Sequence, residues 1–485
     1  MRKTVKQILG AALSASVLLS SFGAVYAEEN TQTETGEEQK EEKELTWEEQ
    51  KELSYSKVPD TNQIEGWPAG PQVYGEAAVV MDMDTGAVLF EKNSEARYFP
   101  ASITKLLTAL VALENAEMED EVLFSEDSVS FLEYGDASIG MTPGEILSME
   151  DALYGMLLAS ANEVSYAIAE STGKKMGGDY STFIQAMNDR AAQLGCTGSH
   201  WTNANGLHND EHYTTAKDMA KIASAVYQFE EFRKITQTLN YTIGETNLMK
   251  ETRTFQQNHK MLWPENLYYY EYCTGGKTGY TDQSGTTLVT MADNGSLRLA
   301  AVVLRNYGVA AYEDTKAMFE YGFGNFEKID MKQESLPDGV KSYKDETVYV
   351  TVPKGTALEE VETKIEITDE KNAEGTVGFW YKGQPAGSAK AVLTDEFMEK
   401  ESGYSVKAEK VKQVKQAKQE KGEEKTEKKE VPFAVKFLIL TVTAVIVLWV
   451  LFALFLNYLR KKRRRMRKRR RKPQTRRRPD RRKKP

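Results

Sequence analysis

A serine and a lysine three residues apart lie at the start of a predicted helix. The run Pro100-Ala101-Ser102-Ile103-Thr104-Lys105 begins with a proline, which is favoured in the first turn of a helix. Lys105 lies over the same helix face as Ser102, and a lysine held on an apolar stem loses its proton more readily than a solvated one. The pair could therefore form a nucleophilic serine with a lysine base; the alternative is a capped helix with a surface lysine.

Two other polar motifs follow at positions that a fold could bring to the same place. Ser160-Ala161-Asn162 separates two segments with helical periodicity, and a capping box at 148–151 opens the first of them. Serine and asparagine between helices are most often caps, but here they can also present a hydroxyl and an amide to a cleft. Lys277-Thr278-Gly279 lies in the first strand of a predicted hairpin, where glycine allows a ligand to approach closely.

The histidines and cysteines favour no metal site. His208 and His212 are four residues apart, but neighbouring glycine and asparagine place them in a loop, and no glutamate-containing zinc signature accompanies them. Cys196 and Cys273 are too few for a disulfide framework, and we expect two thiols that are buried or half-buried. Just after the histidines, Thr215 is the predicted N-cap of another helix. The sequence thus predicts neither a metal nor a cofactor.

Both ends of the chain carry membrane signals. Basic residues, an apolar run at 8–22 and a small-residue cleavage site before Glu28 are typical of a secretory signal peptide. Residues 437–456 form a stretch of 20 without a charge, which as a helix would span the hydrocarbon core. The segment 460–485 has 19 Lys and Arg against one Asp, so it is expected in the cytoplasm, with everything before the span outside.

The net charge of −9 is distributed very unevenly. Since the tail is strongly basic, the part of the chain expected outside the membrane is strongly acidic, which argues against nucleic acid as its partner. The basic tail beside a membrane span suits anionic lipid headgroups better than nucleic acid. No feature of the sequence specifies an oligomeric state.

Together, the three motifs resemble the Ser-x-x-Lys, Ser-x-Asn and Lys-Thr-Gly set of penicillin-binding proteins and serine β-lactamases. Their order, and their places on a helix, an interhelix loop and a strand, agree as well. Finer features resemble the serine D-Ala-D-Ala carboxypeptidases, the low-molecular-mass penicillin-binding proteins. These features are the run at 100–105, the Gly206-Leu207 loop leading to His212 and Thr215-Ala216-Lys217-Asp218-Met219, and the run at 276–281.

The resemblance implies an exported cell-wall enzyme that removes the terminal D-alanine from peptidoglycan stem pentapeptides. It implies that Ser102 is the nucleophile, that Lys105 takes its proton, and that Ser160 relays a proton to the leaving amine. Water would then hydrolyse the acyl-enzyme. Penicillin and other β-lactams would acylate the same serine and leave slowly.

The resemblance also implies the residues that bind the substrate. Lys277 and Thr278 would meet its carboxylate beside Gly279, and Asn162 would help to hold both the substrate and the catalytic lysine. The backbone N–H of Tyr280 and that of the nucleophile would form the oxyanion hole.

The predicted architecture is an α/β (α+β) domain, with an antiparallel sheet flanked by helices, followed by a small all-β domain and one C-terminal transmembrane helix. This DD-peptidase/β-lactamase-like domain would be anchored outside the cell membrane. The predicted segments are a signal peptide (1–27), an acidic disordered spacer (28–68), the DD-peptidase domain (69–328), the β domain (335–402), a Lys/Glu-rich linker (403–432), the transmembrane helix (433–457) and the basic tail (458–485).

One departure and three alternatives accompany this interpretation. Ala311 stands where many relatives carry an arginine that also binds the terminal carboxylate, so recognition would rest on Lys277 and Thr278. A class A β-lactamase would need a deacylating glutamate, but the corresponding region, 194–198, contains no acid. A DD-endopeptidase would cut cross-links on the same scaffold, and a catalytically weak, membrane-tethered protein would sense β-lactams. Substrate turnover separates the sensor from an enzyme.

Overall fold

The computed structural model describes residues 45–403, 440–452, 454–456 and 458. Its strands are β1 (Ala77–Asp82), β2 (Val88–Lys92), β3 (Glu121–Leu123), β4 (Ile146–Ser148), β5 (Asn240–Ile243), β6 (Arg253–Gln256), β7 (Cys273–Thr281), β8 (Gly285–Asp293), β9 (Arg298–Asn306), β10 (Phe326–Asp330), β11 (Val340–Tyr343), β12 (Tyr349–Pro353), β13 (Glu362–Asp369), β14 (Glu374–Tyr381) and β15 (Gln384–Leu393). Its helices are α1 (Trp47–Ser56), α2 (Lys105–Asn115), α3 (Glu126–Ser130), α4 (Met149–Leu158), α5 (Asn162–Lys175), α6 (Tyr180–Gln193), α7 (Ala216–Val226), α8 (Glu230–Gln237), α9 (Ala310–Asn325) and α10 (Asp395–Ser402).

A five-stranded antiparallel sheet in the order β2-β1-β9-β8-β7 lies at the centre. Successive strand residues point to opposite faces of the sheet, and helices cover both faces. Along β1, Val79 and Met81 belong to the core that includes α2, α5 and α7, whereas Ala78 and Val80 belong to the core that includes α9. The mixed α/β fold is confirmed, as is the predicted hairpin that begins with the Lys277-Thr278-Gly279 strand, in which β7 pairs with β8. Strand β7 forms an open edge of the sheet.

Two predicted N-caps fix the residues at which the helices near the sequence motifs begin. The Ser148 hydroxyl accepts from the Asp151 N–H at 3.1 Å where α4 begins. The Thr215 hydroxyl accepts from the Asp218 N–H at 3.1 Å where α7 begins. Each cap satisfies an N–H group that has no acceptor within its own helix. The predicted starts of these two helices are therefore confirmed.

The spacer predicted to be disordered at 28–68 is folded in its described part, which begins at residue 45. Thr46 and Glu49 form a reciprocal capping pair at the start of α1, with backbone-to-side-chain distances of 2.8 and 3.2 Å. Further on, Trp67 is buried, and its indole N–H donates to the Leu89 carbonyl at 3.0 Å. The charged composition, which indicated a disordered or loosely helical segment, concealed these local signals. The described residues instead form the capped helix α1 and the buried Trp67 contact.

The C-terminal strands pack against the same core as one face of the central sheet. A four-stranded sheet has the order β11-β15-β14-β13, and β10 pairs with β12. Val350 and Val352 of β12 share a core with Val80 of β1. The predicted domain boundary at 328 falls within β10, and α10 follows the last strand where the sequence had predicted only strands and turns. Thr394 caps α10 by accepting from the Phe397 N–H.

Most of the predicted terminal segments lie outside the described residues. These are the signal peptide (1–27) and most of the linker (403–432) and basic tail (458–485). Within the predicted span 433–457, residues 440–452 and 454–456 are helical and exposed. Across the described parts of the chain, none of the helices combines the length and the hydropathy needed to cross a membrane.

Candidate active site

Ser102 lies in a 3-10 turn, Ala101–Thr104, that leads directly into α2. The sequence predicted a helix from Pro100, and the structure places this tighter turn before the α-helix. Ala101 has a φ of +53°, in the left-handed region, which costs a non-glycine residue about 1–3 kcal/mol. Such strain is typical of functional sites, and the N–H groups of a first turn lack acceptors within the helix.

The Lys105 amine lies beside the Ser102 hydroxyl in a fully buried position. Its Nζ is 2.9 Å from Ser102 Oγ, 2.8 Å from Asn162 Oδ1 and 2.6 Å from the backbone carbonyl oxygen of Asn205. Burial, together with the positive charge of Lys277, holds the pKa of Lys105 well below its ordinary value. The lysine can therefore lose its proton within the folded protein.

This geometry orients the neutral amine as a base. A neutral amine has two hydrogens and one lone pair, and two of its three neighbours, Asn162 Oδ1 and the Asn205 carbonyl, are acceptors. When both hydrogens donate to those acceptors, the lone pair faces Ser102 Oγ. The arrangement can accept the proton of the serine hydroxyl and so generate a nucleophile.

The second lysine contacts the Ser-x-Asn motif. Lys277 on β7 is buried, and its Nζ donates to Ser160 Oγ at 2.9 Å and to the Thr278 carbonyl at 2.8 Å. Burial lowers the pKa of Lys277 to about 7. Ser160 occupies the turn between α4 and α5 with a φ of +65°, a second strained residue in the same site. The structure thus brings all three motifs together.

Two glycines allow backbone to approach the nucleophile. A Cβ on Gly206 would lie 1.9 Å from the Ala101 carbonyl oxygen, and one on Gly279 would lie 2.9 Å from the Ser102 nitrogen. Gly279 therefore brings the edge strand β7 beside the nucleophile's N–H. Tyr280, the next residue of this strand, is 64% exposed to solvent.

Replacement of Gly206 by alanine is expected to lower the free energy of unfolding by about 3 kcal/mol, through backbone strain and overpacking. Gly206 has a φ of +87°, and the new methyl group would meet the Ala101 carbonyl. Gly86→Ala is the matched control, since Gly86 has a φ of +73° but no atom within 4 Å of the position that a Cβ would take. Urea unfolding measures both variants, and equal losses would contradict the proposed steric role of Gly206.

Sequence reasoning missed several groups around the nucleophile. The Asn205 carbonyl contacts Lys105 through its backbone, which side-chain patterns do not reveal. The Thr287 hydroxyl donates to the Pro100 carbonyl at 2.8 Å and so ties β8 to the nucleophile turn. His212, weighed as a metal ligand and named in the resemblance without a role, is buried and hydrogen-bonded to Thr104 through one ring nitrogen. A buried polar side chain in the loop 203–212 would have been the signal to follow.

Other predicted residues take positions consistent with their chemistry. Ala311 is fully buried near the start of α9, at the position where the resemblance led us to expect an arginine. Cys196 and Cys273 are free thiols, buried and half-buried respectively, as predicted. Burial raises the pKa of each thiol to about 12.

Comparison with known proteins identifies similar sequences and folds. A family model described as D-alanyl-D-alanine carboxypeptidase matches residues 65–307. The chain is 30% identical over 322 residues to the D-alanyl-D-alanine carboxypeptidase DacF of Bacillus subtilis, covering 61% of this chain and 77% of that protein. It is 25% identical over 374 residues to DacA of Escherichia coli, covering 72% and 89%.

A solved structure extends the similarity to the fold. Penicillin binding protein 5 from Haemophilus influenzae superposes with a TM-score of 0.54 at 25% sequence identity. The match covers 67% of this chain and 98% of that one.

Proposed function

This chain belongs to the D-alanyl-D-alanine carboxypeptidase family, and on that premise we propose how its residues carry out the reaction. The protein is a serine-type D-Ala-D-Ala carboxypeptidase that acts on peptidoglycan stem peptides and binds β-lactams. The observation that carries the mechanism is the buried Lys105 amine, 2.9 Å from Ser102 Oγ and flanked by two acceptors. It supports Ser102 as the nucleophile and Lys105 as the general base.

In the acylation step, Lys105 Nζ takes the hydroxyl proton as Ser102 Oγ bonds to the carbonyl carbon between the two D-alanines. The negative charge on the carbonyl oxygen is then stabilised by the N–H groups of Ser102 and Tyr280. Loss of one such donor typically costs about 100- to 1000-fold in rate. Strand β7 supports this arrangement, since its Gly279 lies against the Ser102 nitrogen.

Collapse of the intermediate breaks the C–N bond and releases D-alanine. Charged Lys277 donates to Ser160 Oγ, so the hydrogen of that hydroxyl is free to pass to the leaving amine. Ser160 in turn takes up the proton held by Lys105, which leaves the Lys105 amine neutral. Lys277 and Thr278 meet the terminal carboxylate of the substrate, and buried Ala311 supplies no second cation there. Water then attacks the acyl ester, and Lys105 acts as the base again.

The full chain in detergent should release D-alanine from a stem pentapeptide and form a penicillin adduct. Both signals should be lost in Ser102→Ala, because that variant lacks the attacking oxygen. Release is measured by a coupled D-amino-acid oxidase assay, and the adduct by mass spectrometry. An adduct that forms without release would favour the endopeptidase or the sensor. Absence of both signals from a folded wild-type protein would contradict the assignment.

Export and anchoring are part of the same proposal. The signal peptide (1–27), the uncharged stretch at 437–456 and the basic tail favour an enzyme held by a C-terminal span, with its active site outside the cell membrane. In cells, the protein labelled by penicillin is then expected in the membrane fraction.

A further inference from the structure

A continuous chain of buried hydrogen bonds lies behind the nucleophile. The Thr202 N–H is 3.0 Å from His212 Nδ1, and His212 Nε2 is 2.8 Å from Thr104 Oγ1. Thr104 Oγ1 is in turn 2.8 Å from the carbonyl oxygen of Ala101. The side chain of Thr104 is fully buried, and His212 is 1% exposed. The chain therefore ends on the strained residue directly before Ser102.

The direction of each hydrogen bond follows from the chemistry of its partners. A backbone N–H can only donate, so His212 Nδ1 must present a lone pair to Thr202. Burial, with the charges of His200, His208 and Lys105, lowers the pKa of His212 to about 3, so the ring is neutral. Its hydrogen then lies on Nε2 and is donated to Thr104 Oγ1. The hydroxyl hydrogen of Thr104 remains for the Ala101 carbonyl.

The last bond of this chain controls the orientation of a catalytic N–H. The Ala101–Ser102 peptide is planar and trans, so its carbonyl and its N–H point in opposite directions. Fixing the Ala101 oxygen therefore also fixes the Ser102 N–H, on whose side Gly279 and β7 lie. Gly206 packs closely against the same carbonyl.

We propose that His212 is a positioning residue for acylation, acting through Thr104 to hold the Ser102 N–H in the oxyanion hole. This inference rests on the function proposed above, because it assigns a role only if Ser102 is acylated. The competing interpretation is that His212 merely fills the core beside Trp201, whose ring lies 5.4 Å from its own. In that case its loss would lower stability and leave the chemistry of folded molecules unchanged.

The test compares variants that break the chain with variants that restore it. His212→Leu keeps the bulk but removes both nitrogens, whereas His212→Gln keeps one acceptor and one donor. Thr104→Val removes the hydroxyl, and Thr104→Ser retains it. Thr108→Val is the matched control, since Thr108 lies one turn further along α2, is fully buried and donates to the Ala204 carbonyl at 2.7 Å without contacting Ala101.

The measurements are the acylation rate constant with a fluorescent penicillin, kcat and KM for D-alanine release, and thermal unfolding of each full chain in detergent. His212→Leu and Thr104→Val should each slow acylation and lower kcat by about 100-fold, with little change in KM. A displaced N–H donor stabilises the transition state less, whereas it affects binding of the ground state little. His212→Gln, Thr104→Ser and Thr108→Val should stay within about tenfold of wild type, since local geometry is largely kept. The double variant His212→Leu with Thr104→Val should be no slower than either single variant by more than about threefold.

Three results would overturn the inference. These are acylation of folded His212→Leu at the wild-type rate, an equal loss in Thr108→Val, and multiplied losses in the double variant. If His212→Leu does not fold, the Thr104 pair and His212→Gln still decide the matter. A wild-type chain that forms no adduct would instead remove the proposed function itself.

Discussion

Replacement of Lys105 by methionine is expected to slow acylation of Ser102 by about 1000-fold or more, within the range for loss of a positioned general base. Methionine has a similar length and fills the buried site without a charge, but it cannot accept the hydroxyl proton. Lys105→Arg should be equally slow, because a guanidinium stays protonated at any pH the protein tolerates. Mass spectrometry of the penicillin adduct over time gives the rate for each variant.

Lys92→Met is the matched control for this experiment. Lys92 is also a buried lysine, and its Nζ donates to the carbonyls of Ser54 and Val73, each at 2.7 Å. Its loss should lower the unfolding temperature, because the buried Val73 carbonyl loses this donor, whereas the Ser54 carbonyl keeps the Lys57 N–H at 3.1 Å. Acylation should stay intact. If Lys105→Met acylates within about tenfold of the wild-type rate, Lys105 cannot be the general base.

The sequence by itself predicts the pairing of Ser102 with Lys105, because that pairing depends on side chains in one short motif. Lys105 follows Ser102 at helical spacing, so their proximity is a local consequence of the turn. The three motifs then meet because β7 is an edge strand beside the start of α2 and the α4–α5 turn. That assembly is not local, and only the resemblance to a family predicted it.

The features that the sequence did not predict depend on backbone groups and on tertiary packing. The Asn205 carbonyl is a main-chain acceptor, available at any residue type, so its contact with Lys105 leaves no pattern in the sequence. The left-handed conformation of Ala101 is unfavourable for alanine and exists only because surrounding contacts impose it. Trp67, within a charged segment, is buried because it meets Phe326 and Tyr381 from distant parts of the chain.

The pH dependence of catalysis is expected to depend on Lys277. Its pKa is lowered to about 7 because burial disfavours the charged amine, so the free enzyme loses this charge as the pH rises through that value. In the proposed mechanism, binding of the substrate carboxylate requires the charge, and kcat/KM reports the free enzyme. It should therefore fall by up to about tenfold for each pH unit above the pKa of Lys277. Lys105 acts in the opposite sense, since it must be neutral to serve as a base, and burial together with the charge of Lys277 lowers its pKa in favour of that neutral form.

Lys277→Arg separates the two lysines. A guanidinium remains charged up to high pH, so the decline of kcat/KM above neutrality should disappear in this variant, although its larger head lowers the maximum rate. Lys277→Met removes the charge at every pH. It should lower kcat/KM by about 100-fold or more, the loss typical of a charged contact with a carboxylate. The profiles are measured by D-alanine release between about pH 5 and pH 10, limits chosen to bracket the pKa of Lys277. A decline of the same midpoint and slope in Lys277→Arg would show that another group titrates there. A wild-type profile that stays flat above neutrality would mean that carboxylate recognition does not depend on the charge of this lysine.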